Sequence, residues 1–179
     1  MSAVPPSTLP IPRRIITTHD GAGKSIVQSI APAKYQPFPH SNSSFTTLWN
    51  FDSVPTNDNN VSDDGGERKI TGPGLGVVHQ NGVSVRYNDL APGEGAPLHR
   101  TTSTDVVTLI SGQVILVLED GSETLLEKPG DCIIQRGTAH AWRNPSKTEW
   151  ARFMGVIVDA APVIVDGKTL ENEMPVQSK

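Results

Sequence analysis

The strongest constraint on this chain is a run of short β-branched segments cut at close intervals by tight-turn dipeptides. After Gly74 the sequence reads Leu75 to His79, Gly82 to Leu90, Thr104 to Ile110, Val114 to Leu118, Ser122 to Leu126, Asp131 to Gln135, Ala139 to Arg143 and Ala151 to Val158. Pro-Gly, Ser-Gly and Asp-Gly pairs separate these runs. Segments this short, with turn formers between them, pair as antiparallel neighbours and predict an all-β sandwich or barrel. The clearest hairpin is Leu118-Glu119-Asp120-Gly121-Ser122, where Asp120-Gly121 supplies the positive φ of a tight turn. The 16 Gly and 15 Pro in 179 residues argue further for many turns and few long helices.

The flanks are looser. Residues 1 to 12 hold four prolines and predict an extended arm. Arg14 to Thr18 and Ser25 to Ile30 are β-rich and separated by Asp20-Gly21-Ala22-Gly23, which predicts a hairpin ahead of the barrel. Gly21-Ala22-Gly23-Lys24-Ser25 ends like a phosphate loop, but Thr18 stands where that motif requires its first Gly and no long helix follows. It reads as a turn. Phe45 to Phe51 is a short apolar run, and Asp52 to Gly74 is turn formers and charge, a long surface loop without the terminal Glu of a calcium-binding loop. The chain thus divides into residues 1-74 (arm, β-pair and polar loop), 75-160 (barrel) and 161-179 (a last strand and tail).

A formal charge of -4, with no long Lys/Arg cluster, leaves no electrostatic footprint for nucleic acid. No apolar run reaches the ~20 residues of a membrane helix or the form of a signal peptide, so a soluble, cytoplasmic protein is expected. The lone Cys132 lies in an apolar strand and is expected to be a buried structural thiol.

Two motifs carry the chemistry. The first is Gly93, five residues, His99-Arg100-Thr101, three residues, Asp105, six residues, Gly112. The second is Gly130-Asp131, three residues, Gln135-Arg136-Gly137, two residues, His140, three residues, Asn144. Together they resemble the cupin superfamily, whose first motif carries Gly, His, His, Glu, Gly and whose second carries Gly, Asp, Pro, Gly, His, Asn. Thr101 stands at the second His position, Asp105 at the Glu position and Gln135 at the Pro position. The second motif is also one residue short. The resemblance implies an all-β cupin jelly-roll (double-stranded β-helix) barrel with an N-terminal arm and β-pair. More narrowly, it is similar to small microbial and fungal cupins, some associated with secondary-metabolite pathways. A homodimer closed by edge-strand pairing is expected, with the early β-pair available to supply the edge.

Strand alternation sends His99 and Thr101 to one face and Arg100 to the other, places His140 and Trp142 together, and continues the inner face through Asp105, Val107 and Leu109. If the barrel is cupin-like, His99, Thr101, Asp105 and His140 converge in its mouth. Three readings stay open. In the first, His99, Asp105 and His140 hold a divalent metal (iron, manganese, zinc or nickel) as a two-His, one-carboxylate set, although Asp reaches ~1.5 Å less far than Glu. In the second, the same three are catalytic acids and bases acting on a small organic acid or polyketide-like metabolite, by dehydration, isomerisation, decarboxylation or cyclisation. Thr101, Trp142, Arg100, Arg136 and Tyr87 are its candidate substrate-binding residues, with an arginine for a carboxylate and Trp142 as a stacking wall. In the third, the barrel binds a small ligand without turnover. His19 and His40 are expected at the surface, His79 is a weak candidate for an inward position, and Asn144 is expected to brace a turn.

Overall fold

The computed structural model describes residues 7–39 and 41–174. Fourteen strands run along them: β1 Arg13–His19, β2 Ser25–Pro32, β3 Gln36–Pro37, β4 Ser44–Phe51, β5 Val83–Leu90, β6 Gly95–His99, β7 Ser103–Ser111, β8 Val114–Leu118, β9 Glu123–Leu126, β10 Cys132–Arg136, β11 His140–Arg143, β12 Ala151–Asp159, β13 Val163–Val165 and β14 Lys168–Leu170. A single 3-10 turn at Asp58–Asn60 is the only helical element among the described residues. The expected hairpin forms as the antiparallel pair β1-β2, and the Asp20 carboxylate accepts the Ala22 and Lys24 amides to close its turn. The phosphate-loop likeness there has no structural counterpart.

Two sheets make the barrel. The larger is ordered β10-β7-β12-β5-β4-β3 and the smaller β6-β11-β8-β9. The large sheet therefore reaches back to β3 and β4, well before residue 75. Alternation decides which side chains each sheet turns inward. Along β7 the burial pattern is strictly two-residue, with Ser103, Asp105, Val107 and Leu109 buried and their neighbours less so. The two inner faces meet in a core that includes Leu90, Val107, Leu109 and Phe153 from the large sheet and Val114, Leu116, Leu126 and Trp142 from the small one. Trp142 and Phe153 stack across the gap with ring centroids 5.2 Å apart. Burying two aromatic rings at this seam contributes several kcal/mol to joining the sheets.

Turn chemistry falls where the dipeptides place it. Gly112, Gly121, Gly130 and Gly137 all have positive φ, and the Asp120 carboxylate accepts the Ser122 amide beside Gly121. Asn144 braces its turn as expected: its amide donates to the carbonyls of Leu90, Ala91 and Glu149, and its oxygen accepts the Ser146 amide. The polar stretch after Asp52 is pinned by Arg68, which pairs with Asp58 and Asp63 and donates to the Asn50 carbonyl.

Two expectations need correcting, and one strand was not foreseen. Leu75 to His79 is a turn, with Leu75 and Gly76 both at positive φ, a conformation no strand accepts. Cys132 is exposed, because it begins the edge strand β10 with its side chain on the outer face. Gly95–His99 forms a strand that the sequence hides behind Gly and Pro. His19 is at the surface, and His40 and residues 1–6 of the expected arm lie outside the described residues. His79 is buried, yet it bonds Asp52 and the Thr71 amide and takes no part in the site below.

Candidate active site

A cavity of about 340 Å³ opens between the sheets. His99, Thr101, Asp105, His140 and Trp142 all line it, so five of the sequence candidates do converge. The small sheet supplies the imidazoles. His140 on β11 stands directly opposite His99 on β6, and their ring centroids are 4.2 Å apart. Each ring is held by the backbone two residues earlier: His99 Nδ1 donates to the Pro97 carbonyl at 2.8 Å and His140 Nδ1 to the Thr138 carbonyl at 2.9 Å. That bond fixes the tautomer, leaving both Nε2 atoms as lone-pair acceptors with no protein partner among the described residues. Burial is the main reason both rings are held neutral. It lowers His99, with Arg86 adding to the effect, and it lowers His140 to about 4, with the facing His99 as the second cause.

The large sheet supplies the rest. Strand register lays the inner face out in rows: Ser84, Ile157, Asp105 and Gln135 form one, Arg86, Gly155, Val107 and Ile133 the next, and Asn88, Phe153 and Leu109 a third. Gln135 donates to Asp105 Oδ2 at 3.0 Å, while Asp105 Oδ1 has no partner among the described residues. Burial pushes the Asp105 carboxyl up to about 6, against a smaller lowering from the Ser103 hydroxyl. Thr101 and Ser103 share a 2.9 Å hydrogen bond beneath the site.

This layout corrects the metal set. Asp105 and the histidines belong to opposing sheets, and among the described residues no three His, Cys, Asp or Glu side chains come close enough to share an ion. With Thr101 in place of a histidine and Gln135 on the carboxylate, the donors amount to two imidazoles, which do not fit a centre built from three protein ligands.

The substrate-binding arginines are corrected as well. Arg100 faces outward and pairs with Glu119 and Glu173 at 3.1 and 3.2 Å. Arg136 is exposed, and both arginines border a separate, smaller cavity of about 170 Å³. Tyr87 points to the other face of β5, against Arg152. What the sequence reading missed is Arg86, which is 5 % exposed and lines the main cavity. The signal was present: Ser84, Arg86, Asn88 and Leu90 are alternate residues of β5, ending in an apolar side chain that could only face the core.

Taken together, facing jelly-roll sheets with a polar cluster in the barrel mouth define a cupin. The model of the Cupin_2 cupin domain matches residues 86–157, and the chain belongs to that family. Among its relatives is phomopsin biosynthesis cluster protein D of Diaporthe leptostromiformis, 34% identical over 160 residues that cover 89% of this chain and 84% of that protein. A cupin-domain-containing oxidoreductase of Aspergillus ruber is 32% identical over 169 residues, covering 93% of this chain and 81% of that one. Oryzines biosynthesis cluster protein J of Aspergillus oryzae is 46% identical over 89 residues, half of this chain and 49% of that protein. This chain is thus a cupin-domain protein related to proteins of fungal secondary-metabolite clusters.

Proposed function

We propose that the protein is an enzyme of secondary metabolism that moves a proton on a small, largely apolar organic metabolite, polyketide-like or an organic acid, held in the barrel cavity. The observation that carries this reading is the opposition of a buried carboxyl and an imidazole pair across one cavity walled by Trp142, Phe153, Val107 and Leu90. Such a pocket, mostly apolar with a few convergent polar groups, suits a small-molecule substrate.

The division of labour follows from the protonation states. Asp105, at about 6, is largely ionised at neutral pH yet basic enough to accept a proton. His99 and His140 are already neutral, and with Nδ1–H committed to carbonyls they offer acceptors that orient a substrate hydroxyl or N–H. Asp105 removes a proton from carbon next to a carbonyl. The C–H electron pair passes to the carbonyl oxygen as an enolate, and the protonated Asp105 returns the proton at a new position or to a departing hydroxyl. Isomerisation, dehydration and cyclisation all use this step. The relatives' names support a place in metabolite biosynthesis, and the term oxidoreductase borne by several of them sets the competing outcome of the test.

The test begins with the intermediate that accumulates when the gene is deleted in the organism that carries it. Purified protein is incubated with that compound in D2O under nitrogen and the product is analysed by mass spectrometry. Deuterium at a carbon position of the product or of the recovered starting compound, lost in Asp105→Asn, is the expected result. A product two hydrogens lighter, absent under nitrogen and formed when the incubation is repeated in air, would replace this reading with a redox one. Binding without any conversion would leave a ligand-binding cupin.

A further inference from the structure

Arg86 is unlike the other buried arginine of this barrel. Arg152, on β12, forms a bidentate pair with Asp89 at 2.7 and 2.6 Å, and both side chains are almost fully buried. Arg14, Arg68, Arg100 and Arg143 likewise each meet a carboxylate. Arg86 is 5 % exposed and has no carboxylate within ion-pair distance among the described residues. Burial alone lowers it, to about 10, so it keeps its charge at neutral pH. A buried charge without a counter-ion is costly, and proteins normally pair one.

The surroundings hold the guanidinium in place without neutralising it. Its Nε donates to the Asn88 amide oxygen at 3.1 Å, and its Cζ lies 4.3 Å from the ring centroid of Phe45 and 5.7 Å from that of Phe38. These contacts fix the fork's orientation through one nitrogen and the ring faces. Neither Nη atom has a protein hydrogen-bond partner among the described residues, and the side chain lines the cavity. Gly155, beside Arg86 on the central strand β12, has no side chain to cover the floor there.

We propose that Arg86 is the anion-binding residue of the cavity, and that the substrate is a small, mainly apolar molecule carrying one carboxylate, which docks on the two free Nη groups with its apolar body against Trp142 and Phe153. This deepens the proton-transfer reading, resting on it only for calling the ligand a substrate. An anion supplied by the ligand completes the pair that the fold leaves open, and it fixes which end of the molecule lies toward Asp105 and the histidines. A planar fork favours a carboxylate, whose two oxygens match its two donors.

The experiment compares 2-naphthoate with 2-naphthamide, equal in shape and differing in charge, by isothermal titration calorimetry at pH 7.5. The full-length wild type is expected to bind the carboxylate at least tenfold more tightly. In Arg86→Met the preference should vanish while the amide still binds, and Arg86→Lys should retain part of it. Gly155→Leu should block both probes, which places them in the cavity rather than on surface arginines. Equal binding of the two probes by wild type, binding of neither, or a preference that survives in folded Arg86→Met would overturn the proposal. If Arg86→Met does not fold, the wild-type comparison and Arg86→Lys decide. His140→Ala should keep the naphthoate preference, so failure of the proton-transfer reading would leave this result standing, and the converse also holds.

Discussion

Replacing Asp105 by Asn should make the protein more stable at alkaline pH and leave it little changed in acid. The carboxyl is 6 % exposed, and burial raises it from 3.8 to about 6. A folded-state value above the unfolded one contributes stability that is fully present below 3.8 and lost as pH rises through about 6. At 1.36 kcal/mol for each tenfold change in proton affinity, the loss amounts to roughly 3 kcal/mol once the group is ionised. Asn keeps an oxygen to accept the bond from Gln135 and carries no charge to desolvate. The difference between variant and wild type should therefore vanish only near pH 3, reach about 1 kcal/mol at pH 4.5 and grow to about 3 kcal/mol in the variant's favour by pH 8. That difference corresponds to a midpoint about 6 to 12 °C higher. Urea unfolding at pH 4.5, 6 and 8, followed by tryptophan fluorescence, measures it. The acid destabilisation due to His140 is common to both proteins and cancels in the difference. A difference independent of pH, or a variant less stable at pH 8, would refute the reasoning, because it would mean that the folded protein stabilises the Asp105 anion. The cost is then understandable as that of keeping a reactive carboxyl in an apolar cavity.

The remaining expectations are shorter. His140→Ala should abolish conversion while the circular dichroism spectrum persists, and its unfolding should be less sensitive to acid. The His140 contribution to stability is lost as pH falls from about 6.5 towards 4, where the depressed imidazole finally protonates, while Asp105 regains its own contribution over the same range; the difference in urea midpoint between wild type and His140→Ala isolates the histidine effect. The kcat/KM for conversion should rise with pH through about 6 as Asp105 ionises, and a kcat/KM flat from pH 5 to 7 would remove Asp105 as the base. Gly155→Val should fold normally, since an added Cβ meets only ordinary contacts at 3.7 Å or more, yet exclude bulky ligands by filling the cavity floor; calorimetry with 2-naphthamide checks this. Asp89→Asn should cost about 3 to 5 kcal/mol by leaving Arg152 charged and buried, measurable as a lower urea midpoint.

Much of this molecule could be read in advance because short-range rules govern it. The β1-β2 hairpin, the Asp120-Gly121 turn and the inward set Asp105, Val107 and Leu109 each follow from turn chemistry or from two-residue alternation within one strand. The same alternation placed His99 with Thr101 and turned Arg100 away. Where the prediction failed, a local pattern was contested by something outside it. Leu75 to His79 looks like a strand but has no neighbour to pair with, and Cys132 looks like core but lies on an outer face of an edge strand. Gly95–His99 carries poor β-formers and becomes a strand through pairing with β11.

By itself, the sequence determined the class of fold and the short list of polar residues in the barrel mouth, since motif spacing and strand parity are properties of a single chain segment. Only the tertiary structure decided how those residues are grouped. It put His99 and His140 side by side on one sheet and Asp105 with Gln135 on the other, so that the expected trio does not form a ligand set. It also brought Arg86 to the cavity and left it without the carboxylate that Arg152 has. Which groups lie across a gap from one another depends on how two sheets twist and pack, and that is set by the whole core at once rather than by any stretch of sequence.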